Sequence, residues 1–386
     1  MAFGSSICDF IFARVILMKV LTQQSRWHVF SLSIILMGMM LLSGCDKQPT
    51  RSNSVKILTQ SKDFVFEPVI KGEPITFPQD HGEHPEYLAE WWYLTANLKT
   101  ETGKEIAVQW TLFRMATSDE DLSGWKTPQM YMAHAVITTK KKIWATERFA
   151  RGGIGQAGVN LEPFRAWLDN WSWRAATSDP FPGQLAFSDD DMLARLNIKQ
   201  KGAIVLQGDK GYSKKHPLLD IASYYYSAPF LELDGTIILD GKPYKVSGRG
   251  WFDREWSSSM LSAKQQGWDW FAIHLNDGSA LWVSQLREDG QRPYFIGSRS
   301  WPDGRVVKLD NNQIRMKPMH FYKVSGISFP LNWLIEVPSQ GLKLQTSVVR
   351  QDQWLRFMFP YWEGPINVTG SHDGKGFMEL TGYEDK

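Results

Sequence analysis

The chain has 386 residues, 43% hydrophobic and 22% charged, a globular makeup with room for two domains that excludes both a disordered chain and a polytopic membrane protein. The formal net charge of +2 is carried by Arg14, Lys19 and Arg26 against Asp9, all ahead of residue 45, so the remainder is balanced and presents no basic face to nucleic acid. The departure from an average protein is aromatic: with 18 Trp, 21 Phe and 12 Tyr, the chain carries more ring surface than stability alone requires, which points to a hydrophobic ligand.

Residues 29–42 form an apolar run preceded by Arg26 and His28 and followed by Leu42-Ser43-Gly44-Cys45. The run is too short to span a bilayer comfortably and has the layout of a signal-peptide core, the alternative being an uncleaved anchor. Ending on Leu-Ser-Gly-Cys, it resembles the lipobox of bacterial lipoproteins, which implies acylation of Cys45 and a leader of residues 1–44. Met18-Lys19 offers a second start for translation. Asp46 resembles the signal that keeps lipoproteins on the periplasmic face of the inner membrane. Cys8 leaves with the leader and Cys45 carries lipid, so the mature chain has no thiol for a disulfide, a thiolate metal site or a nucleophile. Residues 45–64 are polar and read as a tether.

From residue 65 the pattern is of short aromatic and β-branched runs, at 91–98, 106–114, 131–138, 204–208, 244–248, 270–275, 281–287 and 342–349, broken by Gly, Pro, Asn or Asp. The best candidate for a helix is 190–196. The run from Trp92, a turn, and the run ending at Arg114 are echoed by a run from Trp270, a turn, and a run ending at Arg287; Asn170-Trp171 is echoed by Asn332-Trp333. The expectation is an all-β protein of two tandem lipocalin-like (calycin) β-barrels, covering 65–260 and 261–386, with a junction near 257–266. The alternative is a double β-sandwich in which the Trp residues only fill core.

Asp80-His81-Gly82-Glu83-His84, Glu90-Trp91-Trp92-Tyr93, Ala157-Gly158, Ser223-Tyr224-Tyr225-Tyr226-Ser227, Gly250 to Trp256, Gly267-Trp268-Asp269-Trp270 and Glu379-Leu380-Thr381-Gly382-Tyr383 occur in this order along 65–386. The set resembles the AttH-like, carotenoid 1,2-hydratase (hydroxyneurosporene synthase) superfamily, whose secreted members are commonly labelled hydrolases. The resemblance implies two lipocalin-like domains and relatives that hydrate isoprenoid double bonds or guide pericyclic closures. Its acid Asp sits in a Tyr-x-Asp element, preceded by a His-x-Trp element. At matching spacing this chain has Trp251-x-Asp253 and Tyr224-x-Tyr226, so the Asp is kept and Tyr replaces the His.

Period-two alternation puts Trp251, Asp253 and Glu255 on one face of a strand, and Phe252, Arg254 and Trp256 on the other. Two carboxylates beside an indole in an apolar cavity would raise at least one pKa and leave a protonated acid near neutral pH, as protonation of an alkene requires. Alternatively, Asp253, Arg254 and Glu255 form salt bridges that clamp the two barrels. Glu90 is either a second cavity carboxylate or the partner of Arg114 or Arg148. His81 and His84 fit a hydrogen-bonded loop better than a metal site, with His134 a further candidate. Gly153-x-Gly155-x-x-Gly158 lacks the following helix that dinucleotide binding needs, and there is no nucleophile elbow or P-loop.

The sequence thus predicts a lipid-anchored protein of the bacterial cell envelope that binds a hydrophobic small molecule, lipid or isoprenoid, with no metal and no cofactor. Trp92, His134, Tyr224, Tyr226, Trp251, Trp268 and Trp270 are the candidate binding residues, and Asp253 and Glu255 the candidate catalytic pair. A cofactor-free hydratase or cyclase with Asp253 as general acid, and a docking partner of a membrane protein complex, are the competing readings. Replacing Cys45 by Ala is expected to leave an unprocessed precursor without the diacylglyceryl mass; a variant processed and partitioned into detergent like the parent rules out the lipobox.

Overall fold

A computed structural model of the chain describes residues 64–383, so the leader, Cys45, Asp46 and the tether up to residue 63 lie outside the described residues. The described residues form two curled antiparallel sheets, one a nearly closed barrel and the other a half-barrel. In hydrogen-bonded order the first sheet runs from Ile143–Arg151 through Gln129–Thr138, Glu105–Ala116, Ala89–Thr100, Lys242–Ser257 and Ala222–Leu239 to Met192–Gln200, then through short hairpins to Ala157–Leu161. The second runs from Val306–Leu309 through Tyr294–Ser300, Ala280–Glu288, Gln265–Leu275, Gly374–Leu380, Tyr361–Gly370, Leu342–Val348 and Ile327–Val337 to Arg315–Val324.

Both sheets share one topology. Ala89–Thr100 lies between the strand that follows it and Lys242–Ser257, and Gln265–Leu275 lies between the strand that follows it and Gly374–Leu380. In each unit the last strand therefore returns to the first, which curls the sheet on itself.

Alternation divides each long strand between two environments. Trp92, Leu94, Ala96 and Leu98 enter the barrel core with Trp110, Trp173, Phe252 and Trp256, whereas Tyr93 and Trp251 face outward against Trp270, Trp282 and Phe377 of the second sheet. The second core is built on Phe271, Ile273, Leu275, Trp333 and Trp362. Much of the aromatic excess is thus structural: Trp92, Trp110, Trp171, Trp173, Trp333 and Trp362 are all fully buried in the two cores.

Two sequence expectations need correction. Residues 190–196 are not a helix: Gly183–Asp189 and Met192–Gln200 form a hairpin, in which Met192, Ala194, Leu196 and Ile198 are buried at period two. The repeat is real as topology, but its register is shifted by one residue. Phe271, not Trp270, has the inward parity of Trp92, and the equivalence of Trp92 with Trp270 places the second Trp on the wrong face. The glycine-rich stretch also has a local cause, since Gly153 and Gly155 take positive φ and a Cβ on Gly158 would stand 2.9 Å from the Trp167 ring.

The barrel end is closed by a buried charge cluster. Arg254 stacks 3.8 Å from the Trp92 ring centroid, donates to Gly82 O at 2.5 Å and pairs with Glu90, which also pairs with Arg114. Arg114 in turn donates to the carbonyls of His84 and Tyr87, both at 2.8 Å. The His84 ring lies parallel to Trp256 at 4.1 Å and contacts Asp80 and Glu90. Of the two partners considered for Glu90, Arg114 is the one it takes; Arg148 bonds Asn170 and the Ser188 carbonyl. Burial alone raises the Glu90 carboxyl, but the charges of Arg114 and Arg254 outweigh it and hold it well below the usual range. Glu90→Gln should strand two guanidinium groups and cost about 3–5 kcal/mol in denaturant unfolding, a loss of less than about 1 kcal/mol showing that the cluster is not a stability determinant.

Candidate functional site

The outward faces of the two sheets enclose a cavity of about 120 Å³. From the first unit its wall takes Trp91, Tyr93, Thr111, Phe113, Lys215, Tyr225, Asp253 and Glu255. The second unit contributes Trp268, Trp270, Trp282, Tyr361 and Glu379, and Met260 and Leu261 come from the connection between them. The parity of Lys242–Ser257 turns Asp253 and Glu255 to this side because Arg254 and Trp256 are held in the barrel.

Asp253 is 2% exposed and accepts three hydrogen bonds: from Trp251 Nε1 at 2.8 Å, Ser227 Oγ at 2.5 Å and Tyr225 Oη at 2.7 Å. The neighbouring strand supplies two of these donors, since Ser227 stands opposite Asp253 and Tyr225 opposite Glu255. Among the described residues no cation pairs with Asp253. The clamp of salt bridges is therefore corrected: Arg254 faces the barrel, and Glu255 pairs with Lys215 at 2.5 Å and accepts from Ser223. Burial pushes the Asp253 carboxyl up to about 7, against the lowering effect of its three donors and with a further push from Glu255.

The second sheet brings a carboxyl that sequence reasoning did not single out. Glu379 accepts from Trp268 Nε1 at 2.5 Å, and burial, opposed by that bond and reinforced by Asp253 and Glu255, pushes it up to about 7. Opposite it in the sheet, Glu363 accepts from Tyr93 Oη at 2.5 Å, and burial next to Glu379 holds it well above the carboxylate range. Tyr225, Trp91, Tyr93, Lys215 and Trp282 were missed as well. The available signal was parity: Glu379 alternates with the inward Met378 and Leu380, and Tyr225 with Tyr224 and Tyr226.

Other candidate binding residues lie elsewhere. Trp92, Tyr224 and Tyr226 have barrel parity and pack in its filled core, where Trp92 Nε1 donates to His81 O at 2.9 Å and Tyr226 Oη contacts His81 Nδ1 at 2.6 Å. Trp251 stands behind the wall as a donor to Asp253, and His134 stands behind Tyr361, its Nδ1 2.7 Å from the tyrosine oxygen. Trp268 and Trp270 do line the cavity. His84 joins the charge cluster, His81 meets Tyr226 and Asp179, and among the described residues no group of His, Cys, Asp and Glu is arranged to hold a metal.

The raised carboxyls have a thermodynamic signature. Asp253 and Glu379 bind protons more tightly folded than unfolded, so their contribution is fully present below about pH 4 and is lost as pH rises toward 7, at about 1.4 kcal/mol per unit of pKa difference. Urea unfolding of Asp253→Asn across this range should show a shallower fall with pH than the parent protein; parallel curves mean that the carboxyl is not raised.

Comparison with known proteins agrees with this architecture. A crystal structure of a protein from Nitrosomonas europaea assigned as an AttH is 30% identical, with a TM-score of 0.74 over 82% of this chain and 99% of that one. The kievitone hydratase of Nectria haematococca is 13% identical, with a TM-score of 0.62 over 85% of this chain and 98% of that one, a likeness of fold. A search of curated protein sequences finds no match. The family model described as AttH-like matches residues 68–383, nearly the whole of the two-sheet body, and the chain belongs to the AttH-like family.

Proposed function

We propose that the protein binds an apolar, alkene-bearing molecule between its two sheets and adds water across the double bond without a cofactor, with Asp253 as general acid. The observation that carries this reading is a carboxyl on the wall of an aromatic cavity, held by three donors and, among the described residues, by no cation, with its pKa pushed up to about 7. Such a group is a proton donor at neutral pH. A hydratase of the same fold supports the reaction class.

In the proposed reaction Asp253 gives its proton to one alkene carbon, and positive charge develops on the other. Trp270, Trp282 and Tyr93 line the cavity in which that charge forms, and aromatic rings stabilise a cation by cation–π attraction. Water attacks the cation, and Glu379, ionised at that moment, takes the proton that the water releases. Transfer from Glu379 back to Asp253 restores both groups, so the net change is the addition of one water. A cavity of about 120 Å³ is close to one that holds a single benzene ring, about 150 Å³, so the reacting end is of the size of one ring or one isoprene unit.

Acylation at Cys45, proposed from the sequence, would hold this site at a membrane surface where apolar ligands partition. Carriage of a lipid and docking on a membrane complex need no acid on the cavity wall, and for that reason they rank below hydration.

Two measurements test the reading. Incubation with terpenoid and polyene alkenes in heavy-oxygen water should yield a labelled alcohol, with a rate maximum near neutral pH because Asp253 must be protonated and Glu379 ionised. Asp253→Asn should lower kcat by about 10²–10⁴-fold with little change in ligand affinity, and an unaltered kcat removes Asp253 from the chemistry. In fluorescence titrations with the same ligands, Trp268→Ala and Trp270→Ala should weaken saturable binding, whereas Trp92→Ala should lower stability instead. Equal losses of affinity from all three would place the ligand in the barrel.

A further inference from the structure

Beyond the aromatic cavity, buried polar side chains gather along one line between the sheets. On the first sheet Thr111 and Gln109 follow each other along Glu105–Ala116, with His134 and Thr138 beside them on Gln129–Thr138. Tyr361 and Glu363 of the second sheet stand opposite, next to Gln353. The line begins at the cavity, whose wall includes Thr111 and Tyr361, and ends at a second pocket of about 30 Å³ that includes Thr138 and the partly exposed ion pair Glu105–Lys375.

Three hydrogen bonds tie the amides and the carboxyl into this line: Gln109 Nε2 donates to Tyr361 Oη at 2.8 Å, Tyr93 Oη to Glu363 Oε1 at 2.5 Å, and Gln353 Nε2 to Thr138 Oγ1 at 2.8 Å. Each uses only one end of an amide or carboxyl. Gln109 Oε1, Glu363 Oε2, Gln353 Oε1 and Thr111 Oγ1 are buried without a hydrogen-bond partner, and so is His134 Nε2. The tyrosine oxygen accepts from Gln109, so its own hydrogen goes to His134 Nδ1, and His134 Nε2 is left carrying a hydrogen that faces Glu147 Oε2 at 3.9 Å. That gap is too long for a direct hydrogen bond.

Native proteins pair nearly all buried polar atoms, with protein or with ordered water, and five unpaired ones on one seam call for a common partner. Burial holds the Glu363 carboxyl well above the ordinary range, opposed by hydrogen bonding from Tyr93 and Gln109, which favours a hydrogen on Oε2 while the glutamine oxygens offer acceptors. Water fits both, and the second pocket has room for about two of them.

We propose that this seam holds a file of ordered waters connecting the aromatic cavity to the pocket at Glu105 and Lys375, and that the file delivers water and protons to the cavity. The delivery role rests on the hydration reading; the presence of the file does not.

A high-resolution crystal structure of the mature protein should show ordered waters within hydrogen-bond distance of Gln109 Oε1, Gln353 Oε1 and Glu363 Oε2. A dry seam, or side chains turned to protein partners, overturns the proposal whatever Asp253→Asn does. Transfer into heavy water provides a second readout: the Glu363 carboxyl band, assigned by its loss in Glu363→Gln, should exchange in the infrared spectrum far faster than the buried amides beside it. Exchange no faster than those amides means that water reaches Glu363 only on unfolding, and it too overturns the proposal. Gln353→Met, which keeps length but fills the seam with apolar surface, should slow carboxyl exchange by about tenfold relative to the parent; unchanged exchange shows that the file does not pass Gln353. If waters are present while Asp253→Asn keeps full turnover, the file stands and the acid assignment falls.

Discussion

Arg254 is fully buried between the Trp92 ring and the Glu90 carboxylate, and the rest of the site depends on that placement. With Arg254 and Trp256 committed to the barrel, Asp253 and Glu255 must project toward the second sheet, because neighbours on a strand point to opposite faces. A slip of one residue in the pairing of Lys242–Ser257 with Ala89–Thr100 would bring the carboxylates into the barrel and the guanidinium into the cavity. The ion cluster stabilises the barrel end and, by the same contacts, sets the register that turns Asp253 and Glu255 toward the second sheet.

The cations of the molecule are distributed to the same effect. Arg114 and Arg254 share Glu90 on the barrel side, Arg287 pairs with Asp269, and Lys215 pairs with Glu255 at the edge of the cavity. Asp253 and Glu379 are left with neutral donors alone, three on Asp253 and the Trp268 indole on Glu379. Neutral donors orient a carboxyl without compelling it to ionise, and the desolvation cost is met by keeping the proton. A Glu90 carboxyl held ionised by two guanidinium groups and Asp253 and Glu379 carboxyls raised to about 7 are thus two outcomes of burial, separated by whether a guanidinium pairs with the carboxyl.

The proposed water file extends this logic. A cavity that consumed water, as proposed, would need a wet side as well as a dry one, and Glu363, Gln109 and Gln353 place buried polar groups beside the aromatic cluster at the interface.

How much was legible in the sequence follows from what a strand pattern encodes. Short aromatic and β-branched runs determined an all-β body, the echoed hairpins a tandem topology, and period two the division of Trp251, Asp253 and Glu255 from Phe252, Arg254 and Trp256. Parity says which residues share a face, but not whether that face looks into a filled barrel or onto a neighbouring sheet. For that reason Trp92, Tyr224 and Tyr226 read as binding residues and proved to be core, while Tyr225, between two of them, lines the cavity. The apolar spacing in 190–196 suits a helix as well as a strand, and only pairing with Gly183–Asp189 decided it. Glu379 and Glu363 lie more than a hundred residues from Asp253 and come near it through packing of one sheet on the other, a juxtaposition that no local pattern carries because the contact forms between residues distant along the chain and is decided by tertiary structure alone.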